Sequence, residues 1–169
     1  MAKTKNFFTK VPFKLQILMI ILVLMLLTLT KNIIVEVGLF LFCLIFMIKF
    51  GTAIALDVDP VPFSALLLTY LYDPMSAIYF IIIAQPIIDL LSGRFNHHSI
   101  INFISIMITL VLFGFILTST SAIIYGIIFF NLLRTLFNII IGFDPQAAAF
   151  NLIHTIIYFI LGSILSFFI

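Results

Sequence analysis

Apolar residues run through this chain with only brief interruptions, from near Leu15 to Ile169. The sequence is 64% hydrophobic and 8% charged. A water-soluble domain of 169 residues could not hide so many apolar side chains, because a small domain leaves much of its surface exposed. The solvent for this surface must be lipid. We therefore expect a multi-pass protein of the cell membrane, with the lipid bilayer as its main partner.

The spacing of the breaks predicts an all-α, polytopic transmembrane helix bundle. A span needs about 20 apolar residues, and we predict helices at 14–30, 33–50, 61–72, 75–91, 99–117, 121–141 and 148–169. The short segment 61–72 could be a tilted, broken or re-entrant piece, so the bundle has six to seven helices. Such a piece is tolerated only where other helices cover its backbone.

The predicted breaks between helices contain residues that interrupt helices or lie at membrane surfaces. They are predicted at Lys31-Asn32, Tyr72-Asp73-Pro74 and Thr118-Ser119-Thr120. Pro74 has no N–H to donate and disfavours a helical Asp73, so one helix should end and another begin there.

The chain is expected to contain one membrane domain with an N-terminal extension. We assign a basic tail to 1–13, an additional hydrophobic helix to 14–32 and a six-helix membrane domain to 33–169. The lysines in or next to the tail fit attraction to an anionic membrane surface; they are Lys3, Lys5, Lys10 and Lys14. The net charge of +2 is too small to indicate a nucleic-acid partner.

Three connections are longer and more polar than the others, at 51–60, 92–98 and 142–147. If 61–72 spans the membrane, two helices separate each of these loops from the next, so all three emerge on the same side. We call this side of the bundle the loop face. Elaborate loops on one face and tight turns on the other are typical of a protein whose function lies at that face.

Polar residues within the predicted helices recur at helical spacing near the loop face. Gln85 and Asp89 are four residues apart and share a helix face. Two further stripes have the same three- and four-residue spacing; they are Asn131, Arg134 and Asn138, and Asn151, His154 and Tyr158. Polar side chains are costly in lipid, so those that a membrane helix carries are candidates for function.

These stripes allow two interpretations. In the first, they build a solute-binding cavity in which Asp89, Arg134, Asn138, Asn151 and His154 hold the solute. In the second, Arg134 pairs with Asp89 and the amides join helices to each other, at roughly 0.6 kcal/mol per hydrogen bond.

Two loops carry further polar residues. Asp57 and Asp59 either shape a turn before Pro60 or line the mouth of the cavity. His97 and His98 lie beside Arg94 without cysteines or carboxylates at zinc spacing, so a solvated loop is favoured over a metal site. The one cysteine, Cys43, lies in an apolar run and is not part of a metal-ligand cluster.

Motifs of membrane-embedded and soluble catalysis are not found in the sequence. It has neither a G-x-S-x-G nucleophile elbow nor an H-E-x-x-H metal helix. We expect a protein that is not an enzyme and needs no cofactor.

The stretch from Lys49 to about Phe115 resembles the substrate-binding S components of energy-coupling factor (ECF) transporters. Asp73-Pro74 stands where that family usually has Gly-Pro, and Asn151-Leu152-Ile153 resembles the start of its last helix. The resemblance implies a small-solute-binding subunit whose partners are a membrane coupling subunit and ATPases. Asp57, Asp59 and the 92–98 loop would then gate entry. Helix 14–30 is additional to the usual six, and helix 33–50 lacks the family's Ala-x-x-x-Ala surface, with only Gly38 and Cys43 as small residues.

The same region is similar to the rod-shape protein MreD. That family has an acidic residue in a D-L-L-S-G-like turn, matched here by the run from Asp89 to Gly93. This resemblance implies a non-enzymatic scaffold for envelope assembly, in which the polar stripes join helices and the loop face meets protein.

The orientation in the membrane has two solutions. If 14–30 and 33–50 both span, the N-terminal lysines and Arg94 lie on the loop face, which the positive-inside rule makes cytoplasmic. The S-component resemblance makes the loop face extracellular. This orientation agrees with the positive-inside rule if 14–30 lies along the interface, because the N-terminal lysines are then cytoplasmic.

Overall fold

The computed structural model describes residues 12–27, 33–50, 59–114, 120–141 and 145–168. These residues form seven α-helices and no strand, which confirms the all-α prediction for the described part of the chain. In order they are α1 (Phe13–Leu27), α2 (Ile33–Phe50), α3 (Pro60–Leu71), α4 (Pro74–Leu91), α5 (His97–Phe113), α6 (Thr120–Ile140) and α7 (Pro145–Phe168). The predicted breaks at Lys31-Asn32 and Thr118-Ser119, the tail at 1–11 and Asp57 lie outside the described residues.

Three of the described helices are long and apolar enough to cross a membrane, at Ile33–Phe50, Pro74–Leu91 and Ile123–Ile140. Shorter apolar helices lie at Pro60–Leu71, His97–Phe113 and Asn151–Ile164. Large apolar side chains point outward on these helices, including Phe42, Ile82 and Leu132. An apolar outer surface of this kind suggests association with a membrane.

The short helix α3 lies at the centre of the bundle, packed against α2, α4, α5 and α6. Its buried side chains include Val61, Ala65 and Leu68. The neighbours therefore cover the backbone of α3, as a short apolar helix in lipid would require. Around it, α4 packs on α5, α5 on α6, and α6 on α7.

Capping side chains fix where three of the helices begin. Asp73 precedes Pro74 and accepts hydrogen bonds from the backbone N–H (2.8 Å) and the hydroxyl (3.0 Å) of Ser76, so the predicted break at this point is confirmed. Asp59 caps α3 by accepting from Val61 N at 3.0 Å. These side-chain oxygens satisfy backbone donors that have no partner within the helix.

Asn96 caps α5 and shifts its start from the prediction. Its side-chain oxygen accepts from the backbone N–H groups of His98 (2.9 Å) and Ser99 (3.2 Å). The helix therefore begins at His97, two residues before the predicted start, and the loop is shorter than 92–98. Gly93, with φ 71°, supplies the left-handed residue that turns the chain from α4 towards this cap.

Candidate functional site

A cavity of about 220 Å³ opens at the end of the bundle where α3 and α5 begin and α4 ends. Polar and charged side chains dominate its wall, which consists of Met47, Asp59, Asp89, Arg94, Asn96, His98, Ser99 and Asn102. The cavity therefore collects polar groups from three helices and the connection between α4 and α5. We call this space the polar cavity.

Two carboxylates of the polar cavity share one hydrogen-bond donor. The side-chain nitrogen of Gln85 donates to Asp59 Oδ2 at 2.9 Å and to Asp89 Oδ2 at 3.0 Å. All three side chains are buried. The predicted proximity of Gln85 and Asp89 on one helix face is observed, and the packing of α3 on α4 adds Asp59 to the pair.

Asn102 on α5 completes the carboxylate end of the cavity. Its amide donates to the Asp59 carboxyl, which assigns the nitrogen to that side. The opposite atom, Asn102 Oδ1, has no hydrogen-bond partner in the described part of the chain, although the side chain is only 5% exposed. A buried acceptor without a partner costs free energy, about 1–3 kcal/mol, unless a ligand or water satisfies it.

Burial and charge act in opposite directions on Asp59, which precedes α3. Burial raises the pKa of this carboxyl above its ordinary value. Hydrogen bonds from Gln85 and Val61 N and the positive charge of Arg134 act against that rise. At the mouth of the cavity, burial lowers the pKa of Arg94 from its ordinary value, and the charge of Arg134 acts in the same direction. Arg94 Nη1 donates to Met47 Sδ at 3.7 Å.

The predicted site residues of α6 and α7 form a second polar group beside the cavity. Arg134 Nη1 lies 3.0 Å from His154 Nδ1, and Asn138 Oδ1 lies 3.0 Å from Nδ1 of His98. Asn151 is also buried, and neither of its side-chain amide atoms has a hydrogen-bond partner among the described residues. Arg134, Asn138, Asn151 and His154 lie outside the cavity lining.

The two polar groups are joined through α7. The hydroxyl of Tyr158 donates to the backbone carbonyl of Asp59, and its ring stacks on His154 with centroids 5.9 Å apart. Arg134 also acts electrostatically on both Asp59 and Asp89. Contacts or electrostatic interactions thus connect Asp59, Asp89, Arg134 and His154, and Asn138 reaches the cavity wall through His98. Asn151 is buried on α7, and Asp57 lies outside the described residues.

Three residues of the cavity wall were missed by the sequence interpretation; they are Met47, Ser99 and Asn102. Three others were not named as solute-binding residues but belong to the 92–98 loop that was expected to gate entry; they are Arg94, Asn96 and His98. The sequence did contain a pattern that predicts a polar face on α5, because Ser99, Asn102 and Thr109 recur at helical spacing, and all three are buried in the structure. The histidine pair was interpreted as a solvated loop; His97 is exposed, but His98 lines the cavity and contacts Asn138.

The arrangement can bind a small polar molecule by charge and hydrogen bonding. Its wall presents carboxylate and amide acceptors together with the guanidinium group of Arg94 and the imidazole of His98. Among the described residues, no group of three or more His, Cys, Asp or Glu side chains is placed to hold a metal ion.

Comparison with family models, with curated proteins and with solved structures finds no match to this chain. The resemblances to S components and to MreD therefore stay predictions from the sequence.

Proposed function

We propose that this chain is a multi-pass subunit of the cell membrane, with six to seven membrane-embedded helices, that binds a small polar solute in the polar cavity. The subunit does not change the solute chemically. By analogy with the S components that the sequence resembles, partner subunits would supply the energy for uptake. A coupling subunit and ATPases are the expected partners.

One observation carries this proposal. The polar cavity is lined by two buried carboxylates and by Asn102, whose side-chain oxygen lacks a partner in the described structure. Burying polar groups in an otherwise apolar bundle is costly, and a ligand with hydrogen-bond donors would satisfy the acceptors that this cavity gathers. The cavity is many times the roughly 10–15 Å³ that one water requires, so it has room for a small organic molecule.

Native mass spectrometry of the complex, gently extracted from its own host, tests the proposal. We expect one small molecule per chain in the wild type, and its loss in Asp89→Asn. The matched control is Asn131→Ala, because Asn131 is equally buried but lies on α6 in a groove away from the polar cavity. An ATPase in the same complex would support uptake.

The alternative is an MreD-like scaffold, and the polar group on α6 and α7 favours it. Arg134 and His154 contact each other across two helices instead of lining the cavity. In this case Arg134→Ala should lower the free energy of unfolding equally with and without solute. Recovery of envelope-synthesis or cytoskeletal proteins without a bound solute would reject the first proposal in favour of the scaffold.

A further inference from the structure

The wall of the polar cavity is rich in acceptors at its buried end. Asp59 and Asp89 are each 3% exposed, whereas Arg94 lies half-buried in the connection between α4 and α5. A molecule at the buried end therefore lies beside two carboxylates, whereas Arg94 lies towards the mouth. An anionic solute placed there would face two like charges at short range, which is strongly unfavourable away from water.

The acceptors have capacity that the protein does not use. A carboxylate offers about four lone-pair sites. The hydrogen bonds to Asp59 come from Val61 N, Gln85 and Asn102. Asp89 accepts from Gln85. Asn102 Oδ1, with no partner in the described part of the chain, is a third acceptor from a different helix.

We propose that the solute presents a protonated primary amine to Asp59, Asp89 and Asn102. This inference rests on the proposed solute-binding function and names the chemical class of the solute. A primary ammonium group carries three N–H donors and no acceptor, which matches the three oxygen acceptors at the N-cap of α3, on α4 and on α5. Its charge also compensates the two buried carboxylates, and charge-assisted hydrogen bonds are the stronger kind.

The cavity volume favours an organic amine over a bare inorganic cation. About 220 Å³ is far more than one dehydrated ion fills, and the lining continues from the acceptors to Met47 and His98. The same oxygen atoms could nevertheless coordinate Na⁺, so the experiment must separate the two sources of positive charge.

A thermal unfolding assay on the purified full chain in lipid nanodiscs separates them. The single cysteine, Cys43, is buried, so a thiol-reactive dye reports unfolding. The probes are n-butylammonium chloride, sodium butyrate and sodium chloride at matched ionic strength. We expect butylammonium alone to raise the unfolding temperature, with an apparent affinity about tenfold or more weaker in Asp89→Asn. Equal stabilisation by both sodium salts would assign the site to Na⁺ and overturn the proposal of an amine ligand.

Two asparagine variants provide a matched comparison if Asp89→Asn unfolds. Asn102→Ala should weaken butylammonium binding, whereas Asn131→Ala should leave it unchanged. Asn131 is a matched control because it is only 2% exposed and also has an unpartnered side-chain oxygen in the described structure. Equal binding in all variants, preferential stabilisation by butyrate, or no stabilisation by any probe would overturn the proposal.

The outcomes also separate this inference from the proposed function. A stoichiometric solute without an amine in the native complex would reject the amine and leave the solute-binding function standing. Butylammonium binding that depends on Asp89, in a chain that carries no solute in its host, would support the amine site and reject the uptake function.

Discussion

Asp59 at the start of α3 and Asp89 in the last turn of α4 accept hydrogen bonds from the same nitrogen atom, at 2.9 and 3.0 Å. That nitrogen belongs to Gln85, one turn before Asp89. Two buried carboxylates with one shared donor repel each other, and the positive charge of Arg134 acts against that repulsion. The pair therefore joins the start of α3 to the last turn of α4 at the wall of the polar cavity.

Replacing the shared donor should destabilise the bundle. Gln85→Met keeps the size of the side chain but leaves two buried carboxylates without their common hydrogen bond. We expect the free energy of unfolding to fall by about 1.5–3 kcal/mol, the range for hydrogen bonds to charged groups. Dye labelling of Cys43 during chemical unfolding measures this change.

The control for Gln85 is on the same helix. Tyr79 is exposed, so Tyr79→Phe should change the free energy of unfolding by less than about 0.5 kcal/mol. If Gln85→Met behaves like Tyr79→Phe, the shared hydrogen bond does not stabilise the bundle.

Tyr158 should stabilise the start of α3 from the opposite side. Tyr158→Phe keeps the ring that stacks on His154 and packs against Phe63, but leaves the Asp59 carbonyl without this donor. We expect a loss of about 1–3 kcal/mol, because a buried acceptor loses its partner. The exposed Tyr125 provides the comparison, since Tyr125→Phe removes a hydroxyl from the surface. Similar unfolding midpoints for the two variants would contradict the role assigned to Tyr158.

Variants of two helix caps should distinguish effects on stability from effects on solute binding. Asp73→Ala and Asn96→Ala each remove an N-cap, at a cost of about 0.5–2 kcal/mol. Asn96 lines the polar cavity, whereas Asp73 lies outside its lining. We therefore expect both variants to unfold more easily, and only Asn96→Ala to bind the solute more weakly, as measured by titration in nanodiscs. Equal binding by the two variants would show that the α5 cap does not contribute to the site.

His154 should be found in one tautomer. A guanidinium group donates and never accepts, so the contact from Arg134 Nη1 requires a lone pair on His154 Nδ1. We expect the proton of a neutral His154 on Nε2, which ¹⁵N chemical shifts of histidine-labelled protein report directly. The chain has three histidines, and His154→Gln identifies the signal. A protonated Nδ1 in the wild type would contradict the hydrogen bond.

Local sequence patterns were sufficient to predict the helices of the described part of the chain, apart from some of their ends, and the polar faces of α4, α6 and α7. The apolar runs predict helices because no other element buries its backbone polar groups in lipid without neighbours. The break at Asp73-Pro74 follows from the geometry of proline. The spacing of Asn131, Arg134 and Asn138 places them on one face, and all three are buried in the structure.

Only the tertiary structure decided which polar groups meet. Asp59 and Gln85 are 26 residues apart, and Tyr158 is 99 residues from the carbonyl that it contacts. Helical periodicity assigns a residue to a face of its own helix, but not to a neighbour or to a rotation of that helix against the next. The sequence therefore determined an all-helical chain with polar stripes, and helix packing decided that α3, α4 and α5 surround the cavity while Arg134 and His154 lie beside it.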